Sequence, residues 1–437
     1  MTPPAPQDRV TPQDVVTPHA LSRPAHEPGQ PPLELVEVTP VPVPERALGV
    51  GSAPALRRAE AAEGIGATVG ATDRRLCRAF IARHSKSFYL SSLLMPGARR
   101  VEAWALYAFC RQADDSVDGD NPGDGSVPLG APTETAVMLR AVEGLRRRLA
   151  RVYRGELGTG PEHAIDRAFY AVAARTGLPQ AVPARLLDGM EQDARGTRYR
   201  RYEELLGYCF NVAATVGLMM TYVMGHRMPQ EREHEVLLRA ADLGVAMQLS
   251  NIARDVGEDA RRGRVYLPDD LLAACGTSHD EVLRIGGRAE PPPPELRRAV
   301  RELLGRAEAH YHAAALGIPM LPRGCRLAIR SAQLIYSGIG DRLQAQGYDA
   351  VTRRAYVPLG AKLLRVLQAL VVGWLPVQRR LPAHATQGPA DALLLGLCRE
   401  VGVLVPGAAV LPAAAQRALP ASPSAAAGAK MERAGSA

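Results

Sequence analysis

YAFCRQADDSVD (residues 107–118) and QLSNIARDVGED (residues 248–259) are the two stretches that decide how this chain folds. Each ends in a pair of aspartates four residues apart, Asp114 with Asp118 and Asp255 with Asp259. At roughly 100° per residue, such a pair sits on one helix face a single turn apart, and carboxylates held that way repel unless something positive fills the gap. The residues ahead of each pair lengthen the same face. Tyr107, Arg111, Asp114 and Asp118 fall within a stripe about 60° wide on an ideal helix, and Gln248, Asn251, Asp255 and Asp259 within about 80°. Around these seams the helices are apolar, through Trp104, Leu106 and Phe109 in the first and Val245, Leu249 and Ile252 in the second. A polar seam on an apolar helix turns toward an internal cavity or another helix, and the surrounding helical periods make an all-α bundle the expected fold.

Helical periodicity continues outward over residues 72 to about 378, without strand-like alternation. It predicts helices near 73–84, 99–118, 132–153, 161–176, 180–193, 201–224, 232–258, 293–314, 320–345 and 360–374. Gly and Pro clusters such as Asn121-Pro122-Gly123 and Gly177-Leu178-Pro179 separate most of them. Residues 1–71 differ: 13 of the 36 prolines precede residue 55 and no apolar period is present, so this stretch reads as a disordered Pro-rich arm. Residues 382–437 are rich in Ala, Pro and Gly and read as a mostly disordered tail, with an apolar helix near 391–404. Between them, 72–381 is long enough for one large helical domain.

The net charge of +8 belongs to that domain, because residues 1–71 hold five Arg against eight Asp and Glu. Basic side chains cluster at Arg146, Arg147, Arg148, Arg151 and Arg154, at Arg261, Arg262 and Arg264, and at Arg353 and Arg354. The first cluster reads either as a solvated helix face or as a surface attracted to anionic lipid, which leaves peripheral membrane contact open. Nucleic-acid binding is not expected, since no aromatics interleave the basic residues and no reader motif accompanies them. Six cysteines without CxxC spacing and an N-terminus without a secretory signal pattern fit a cytoplasmic protein. The best membrane-spanning window, Ala392 to Leu411, is interrupted by Arg399, Glu400 and Pro406 and should not cross a bilayer. His310 and His312, two residues apart, should face different ways and read as surface residues rather than a metal pair.

Carboxylate clamps of this kind suit Mg²⁺, with Mn²⁺ as the alternative ion, and through the ions a highly anionic substrate such as a diphosphate. Asp114, Asp118, Asp255 and Asp259 are accordingly the candidate metal ligands and catalytic carboxylates. Asp188 and Asp193, in LLDGMEQD (186–193), are candidate further ligands or acceptors. Arg111 and Arg254 serve either as ion-pair partners of the clamps or as planar forks on phosphate oxygens. The loop DARRGRVYLP (259–268) combines a Gly hinge with three Arg and is suited to fold over a bound anion. Phe88, Tyr107, Tyr208, Tyr336 and the GLMMTYVM stretch (217–224) are candidate walls for a carbocation, with core packing as the alternative role.

In chain order, HSKSFYLSSLLMP (84–96), YAFCRQADDSVD (107–118), LLDGMEQD (186–193), YCFNVAATVG (208–217) and QLSNIARDVGEDARRGRVYLP (248–268) resemble the squalene and phytoene synthase family. RGRVYLP is most similar to its phytoene branch. The resemblance implies a single isoprenoid-synthase-type helical bundle whose two aspartate motifs face each other across a central cavity. It further implies Mg²⁺-dependent head-to-head condensation of two geranylgeranyl diphosphates, through prephytoene diphosphate to phytoene, in carotenoid biosynthesis and without NADPH. Carried over by motif, Ser85, Ser87, Arg111, Gln248, Asn251, Arg254 and Arg354, rather than Arg353, correspond to diphosphate contacts, and Tyr208 to the catalytic tyrosine.

Two alternatives share this fold: a C30 synthase acting on farnesyl diphosphate to give dehydrosqualene, presqualene diphosphate or squalene, and a non-catalytic assembly factor. Loss of clamp carboxylates would mark the latter, and all four are present. A head-to-tail prenyltransferase or terpene cyclase is disfavoured because SNIARDVGED does not fit the second motif of those enzymes. One departure from the family pattern is Val212-Ala213-Ala214 where VAG is usual, which adds a methyl to a cavity helix.

Overall fold

A computed structural model describes residues 69–118, 132–229, 232–374 and 391–403, all within one compact unit. The regular elements among the described residues are helical. The first group comprises α1 (Ala71–His84), α2 (Lys86–Ser92), α3 (Gly97–Asp118), α4 (Pro132–Tyr153), α5 (Ala164–Thr176) and α6 (Ala181–Ala194). Next comes α7 (Tyr202–Met224), followed by α8 (Glu233–Arg261), α9 (Asp269–Cys275), α10 (His279–Arg288) and α11 (Pro294–Gly317). The last are α12 (Arg323–Ala345), α13 (Leu359–Trp374) and α14 (Asp391–Glu400). The seams thus lie on α3 and α8.

The helix α8 is the axis of one half of the bundle. Val245, Leu249, Ile252 and Val256 are buried at helical spacing, each side chain contributing about 1.5–3 kcal/mol on leaving water. It packs most extensively on α11 and also meets α7, α10, α12 and α14. In the other half α3 plays the same part, through Ala105, Leu106, Phe109 and Ala113, against α1, α4 and α5. No extensive packing joins α3 directly to α8. The helix α7 touches both.

Where α7 crosses α8 the backbones nearly touch. A Cβ on Gly217 would lie 2.4 Å from the Ala240 carbonyl oxygen, and one on Gly244 would lie 2.4 Å from that of Ala213. Neither position has room for a side chain. The methyl of Ala214 is fully buried at this crossing, and the close approach there is made by Gly244 of the facing helix. α7 also contains a π-helical turn, Phe210–Ala214, beginning two residues after Tyr208. Such a turn widens the helix by one residue and re-aims the side chains beyond it. Although α7 is long and apolar enough to cross a membrane, 67% of its most apolar window is buried, as befits a core helix.

The structure departs from the sequence expectations in several places. The seven-residue helices α2 and α9 are too short to display a 3.6-residue period, and α10 carries Gly286 and Gly287 within its last turn. The expected tail helix is present as α14 and buries Leu394 and Cys398, with Glu400 paired to Arg185, so the domain extends past residue 381 to at least Val403. His310 is buried, not on the surface: its Nδ1 lies 2.8 Å from Asp242 and its Nε2 3.3 Å from the Tyr202 hydroxyl, while His312 is exposed. The Arg146–Arg154 cluster is only partly solvated, because Arg146 pairs with Asp188 and Glu191 and Arg148 with Asp166. The Pro-rich arm before residue 69 and the tail beyond 403 lie outside the described residues, as do 119–131 and 375–390.

Candidate active site

The first seam begins at the α1–α2 junction. Ser85 caps α2, accepting a hydrogen bond from the Phe88 amide, and its hydroxyl lies beside the Tyr107 phenol. Phe88 stacks on Tyr107 with ring centroids 5.1 Å apart. One turn further along α3, Arg111 forks between Asp114 at 3.0 Å and Asp115 at 2.6 Å. This grip on Asp115, next to the first clamp aspartate, was not visible in the seam pattern. The side chains of Ser87 and Asp118 lie outside the described residues.

The second seam is more deeply set. Gln248 and Asn251 are half-buried, and below them Asp255 receives guanidinium groups from two directions. Arg254 Nε lies 2.8 Å from Asp255 Oδ1 and Arg354 Nε 3.0 Å from the same oxygen, while Arg354 also reaches Glu258 at 3.0 Å. Arg354 arrives there because Gly257 has no side chain. A Cβ on Gly257 would stand 2.6 Å from Val351 Cα, and the Gly257 amide donates to the Ala350 carbonyl at 3.0 Å. Asp349 fixes the same loop by accepting from the amides of Val351 and Thr352. Arg353, its neighbour, is exposed.

At the end of this seam, burial and then the charge of Asp255 push the Asp259 carboxyl up to about 7, against the pull of Arg264. The 259–268 loop is an anchored turn rather than an open flap. Gly263 adopts the left-handed backbone at φ 75°, the Arg264 amide donates to the Asp259 carbonyl at 2.8 Å, and Val265 and Leu267 are buried.

That turn carries Tyr266 to a site the motif pattern did not reveal. Asp193 of α6 accepts a hydrogen bond from Tyr208 at 3.0 Å with one carboxylate oxygen and from Tyr266 at 2.7 Å with the other. The two rings stack at 5.2 Å, and Tyr199 packs 5.3 Å from Tyr208. Burial, reinforced by the Asp193 charge, raises all three phenols well above their ordinary range, so Tyr208 is a neutral hydroxyl donor. Asp188, the other candidate in LLDGMEQD, is instead engaged by Arg146 and Arg185.

Tyr336, on α12, lies in the neighbourhood of one residue from each seam. It lies close enough to Tyr107 and to Arg254 for each to influence, or be influenced by, its phenol. Beside it is a cavity of about 310 Å³ lined by Arg254, Tyr336, Arg354, Tyr356 and Lys362 among aliphatic side chains. The site is therefore an aromatic and aliphatic space with cationic groups at its edge.

Among the described residues, no three His, Cys, Asp or Glu side chains converge as an ion site, and Asp114 and Asp255 are neutralised by guanidinium groups. The donor set still fits a hard divalent cation. All of its members are carboxylates, and the raised Asp259 carboxyl reflects the penalty of a second buried acid beside Asp255, which a cation would remove.

Residues 81–361 match the family model for squalene/phytoene synthase. The phytoene synthase of Cereibacter sphaeroides is 41% identical over 343 residues, covering 78% of this chain and 89% of that protein. The chain belongs to the squalene/phytoene synthase family. It is thereby a prenyltransferase-type enzyme of isoprenoid biosynthesis, with a prenyl diphosphate as substrate. The 15-cis-phytoene synthase of Synechococcus elongatus is 36% identical over 304 residues, covering 68% of this chain and 91% of that protein. Among solved structures, a dehydrosqualene synthase in complex with a ligand superposes with a TM-score of 0.58 at 28% identity, covering 69% of this chain and 96% of that one. A squalene synthase from Alicyclobacillus acidocaldarius, at 24% identity and a TM-score of 0.53, shares the fold. This family's fold is the isoprenoid-synthase-type bundle that the motif resemblance implied.

Proposed function

We propose that this enzyme is a phytoene synthase that condenses two geranylgeranyl diphosphates head to head. The observation that carries the reading is the presence of two aspartate seams, each with its own guanidinium groups, with Tyr336 in electrostatic range of Tyr107 on one and Arg254 on the other, which suits a reaction between two diphosphate substrates. Relatives named phytoene synthase at 36–41% identity support the C40 product.

In this reading Asp114, Asp118, Asp255 and Asp259 hold Mg²⁺ or Mn²⁺, which supplies charge neutralisation to the departing diphosphate. Arg111, Arg254 and Arg354 exchange their carboxylate partners for phosphate oxygens, a bidentate pairing that a guanidinium makes equally well. Ser85, Ser87, Gln248 and Asn251 add neutral hydrogen bonds. Phe88, Tyr107 and Tyr336 present ring faces toward the allylic cation as the C–O bond breaks. The Tyr208 hydroxyl, which donates to Asp193, takes the final proton on its oxygen as it passes its own proton to the Asp193 carboxylate. Unpaired thiols at all six cysteines support a reducing, cytoplasmic setting.

Purified enzyme incubated with Mg²⁺ and either C15 or C20 diphosphate, with and without NADPH, tests the proposal through product mass. A C40 hydrocarbon from the C20 substrate alone, independent of NADPH, is expected. A C30 product formed preferentially from farnesyl diphosphate would replace this reading with that of a dehydrosqualene or squalene synthase, and no condensation product at all would overturn both.

A further inference from the structure

Ten large apolar residues are exposed among the described residues, and seven of them lie within residues 356–371. Leu359, Leu363, Leu364, Leu367, Leu370 and Val371 of α13 are 39% to 65% exposed and fall within an arc of about 140° on an ideal helix. The opposite side of α13 packs on α12, where Ala369 is buried and Arg365 pairs with Asp341. An apolar face this concentrated marks an interaction surface rather than chance exposure.

Its charge identifies the partner. Residues 350–374 contain Arg353, Arg354, Lys362 and Arg365 and not one Asp or Glu; Arg365 faces α12 and Arg354 is held by Asp255 and Glu258, so Arg353, which is exposed, and Lys362 supply the positive charge beside the apolar face. Tyr356, 65% exposed just ahead of the helix, has the Lys362 ammonium 5.3 Å from its ring centre. Leucines flanked by Lys, Arg and Tyr suit the boundary between acyl chains and anionic headgroups, in which an amphipathic helix lies flat. The surface is continuous with the cavity, since Tyr356 and Lys362 also line the space beside Tyr336 and Arg254.

We propose that the exposed face of α13 docks the enzyme on an anionic lipid bilayer and sets the cavity mouth against it. The choice of partner rests on the proposed reaction, because a hydrocarbon product without a polar group passes from the cavity into acyl chains without crossing water. Lys362 and Arg354 then lie at headgroup level, where a prenyl diphosphate carries its charge. Burying the leucines and valine supplies the attraction, and the basic residues select the charge of the surface.

Co-flotation of the full-length chain with phosphatidylcholine vesicles, with or without phosphatidylglycerol, tests this, and it needs no substrate. The wild type should float with anionic vesicles and about tenfold less with neutral ones. Leu364→Gln/Leu367→Gln/Val371→Gln should lower the anionic binding about tenfold or more, while Leu93→Gln/Val137→Gln, which alters exposed apolar residues elsewhere, should leave it unchanged. Circular dichroism and turnover of detergent-dispersed substrate should remain at wild-type level in the triple variant. Failure of the wild type to float with either vesicle, or undiminished flotation of the triple variant, overturns the proposal. So does a wild-type dimer in light scattering that the triple variant dissociates, which would assign the face to a second copy. Vesicle binding without a condensation product would instead overturn the reaction and leave the surface standing.

Discussion

The two aspartate seams share a residue pattern but are held in different ways. On α3 the clamp is gripped from within its own helix, by Arg111 one turn before, and Asp114 remains 46% exposed. On α8 the clamp is gripped by Arg254 of its own helix and also from outside. Asp255 is 15% exposed and receives Arg354 from 99 residues further along the chain, over the bare backbone of Gly257. Asp259, one turn on, lies close to Arg264, in the turn whose Tyr266 joins the Asp193 network. A local i,i+3 or i,i+4 pair in water contributes only about 0.3–0.5 kcal/mol, so the first seam is easily rearranged. The second is built into the packing of α6, α8 and two loops. The same motif thus gives one adaptable face and one preorganised face.

Substituting the clamps sets the largest effect. Asp255→Asn should lower kcat by about a thousandfold or more and also reduce the melting temperature, because it leaves two guanidinium groups without their shared acceptor. Asp114→Asn should lower kcat comparably but leave the melting temperature within a degree or two, since only a local pair is lost. Equal thermal effects of the two variants would break the comparison.

Gly257→Ala tests whether Arg354 is delivered by backbone contact. A methyl facing Val351 Cα must displace the 349–354 loop, with a stability cost of about 1–3 kcal/mol and a fall in kcat/KM of about tenfold. Wild-type kinetics in that variant would show that Arg354 reaches Asp255 without the glycine.

Next comes Asp193→Asn, which retains the shape but loses the charge that accepts from two tyrosines. A decrease in kcat of about tenfold with little change in KM is expected, because Tyr208 is misdirected while the diphosphate contacts stay in place. A change confined to KM would relocate Asp193 from tyrosine orientation to substrate binding.

The smallest effect is on acid stability. At Asp349 burial works against ionisation, but the hydroxyl and amide of Thr352 and the amide of Val351 outweigh it and hold the carboxyl below its ordinary value. A depressed folded pKa gives stability that is present above the unfolded value and lost as the pH falls through the folded one. Asp349→Asn should therefore lower the melting temperature at pH 7, with the difference shrinking as the pH falls below about 4. A difference that persists undiminished in acid would exclude the charge as its source.

The contrast between the seams also marks what the sequence could reveal. Side chains at helical spacing on one element, Tyr107 through Asp114 and Gln248 through Asp259, were legible because 3.6-residue geometry alone aligns them. The fold class followed from the same periodicity. Contacts made through the backbone were not. Gly257 reads as an ordinary residue of RDVGED until the 349–354 loop lies against it, and the π-helical turn after Tyr208 leaves no trace in an apolar run. Asp193 stood out as an acid in LLDGMEQD, but its two tyrosine partners come from α7 and from the turn after α8. His310 was misplaced because the two-residue offset from His312 separates two helix faces without saying which is inside. α14 was expected as a helix but assigned to the tail, since Ala-rich flanks conceal the packing of Leu394 on the body.

The adaptable and the preorganised seam are proposed to bind one substrate assembly together. Calorimetric titration of a non-ionising thiolodiphosphate analogue of geranylgeranyl diphosphate into wild type, Asp114→Asn and Asp255→Asn, with and without Mg²⁺, measures this most directly. A single shared site predicts Mg²⁺-dependent binding in the wild type and its loss in both variants. Undiminished Mg²⁺-dependent binding in both variants would contradict it.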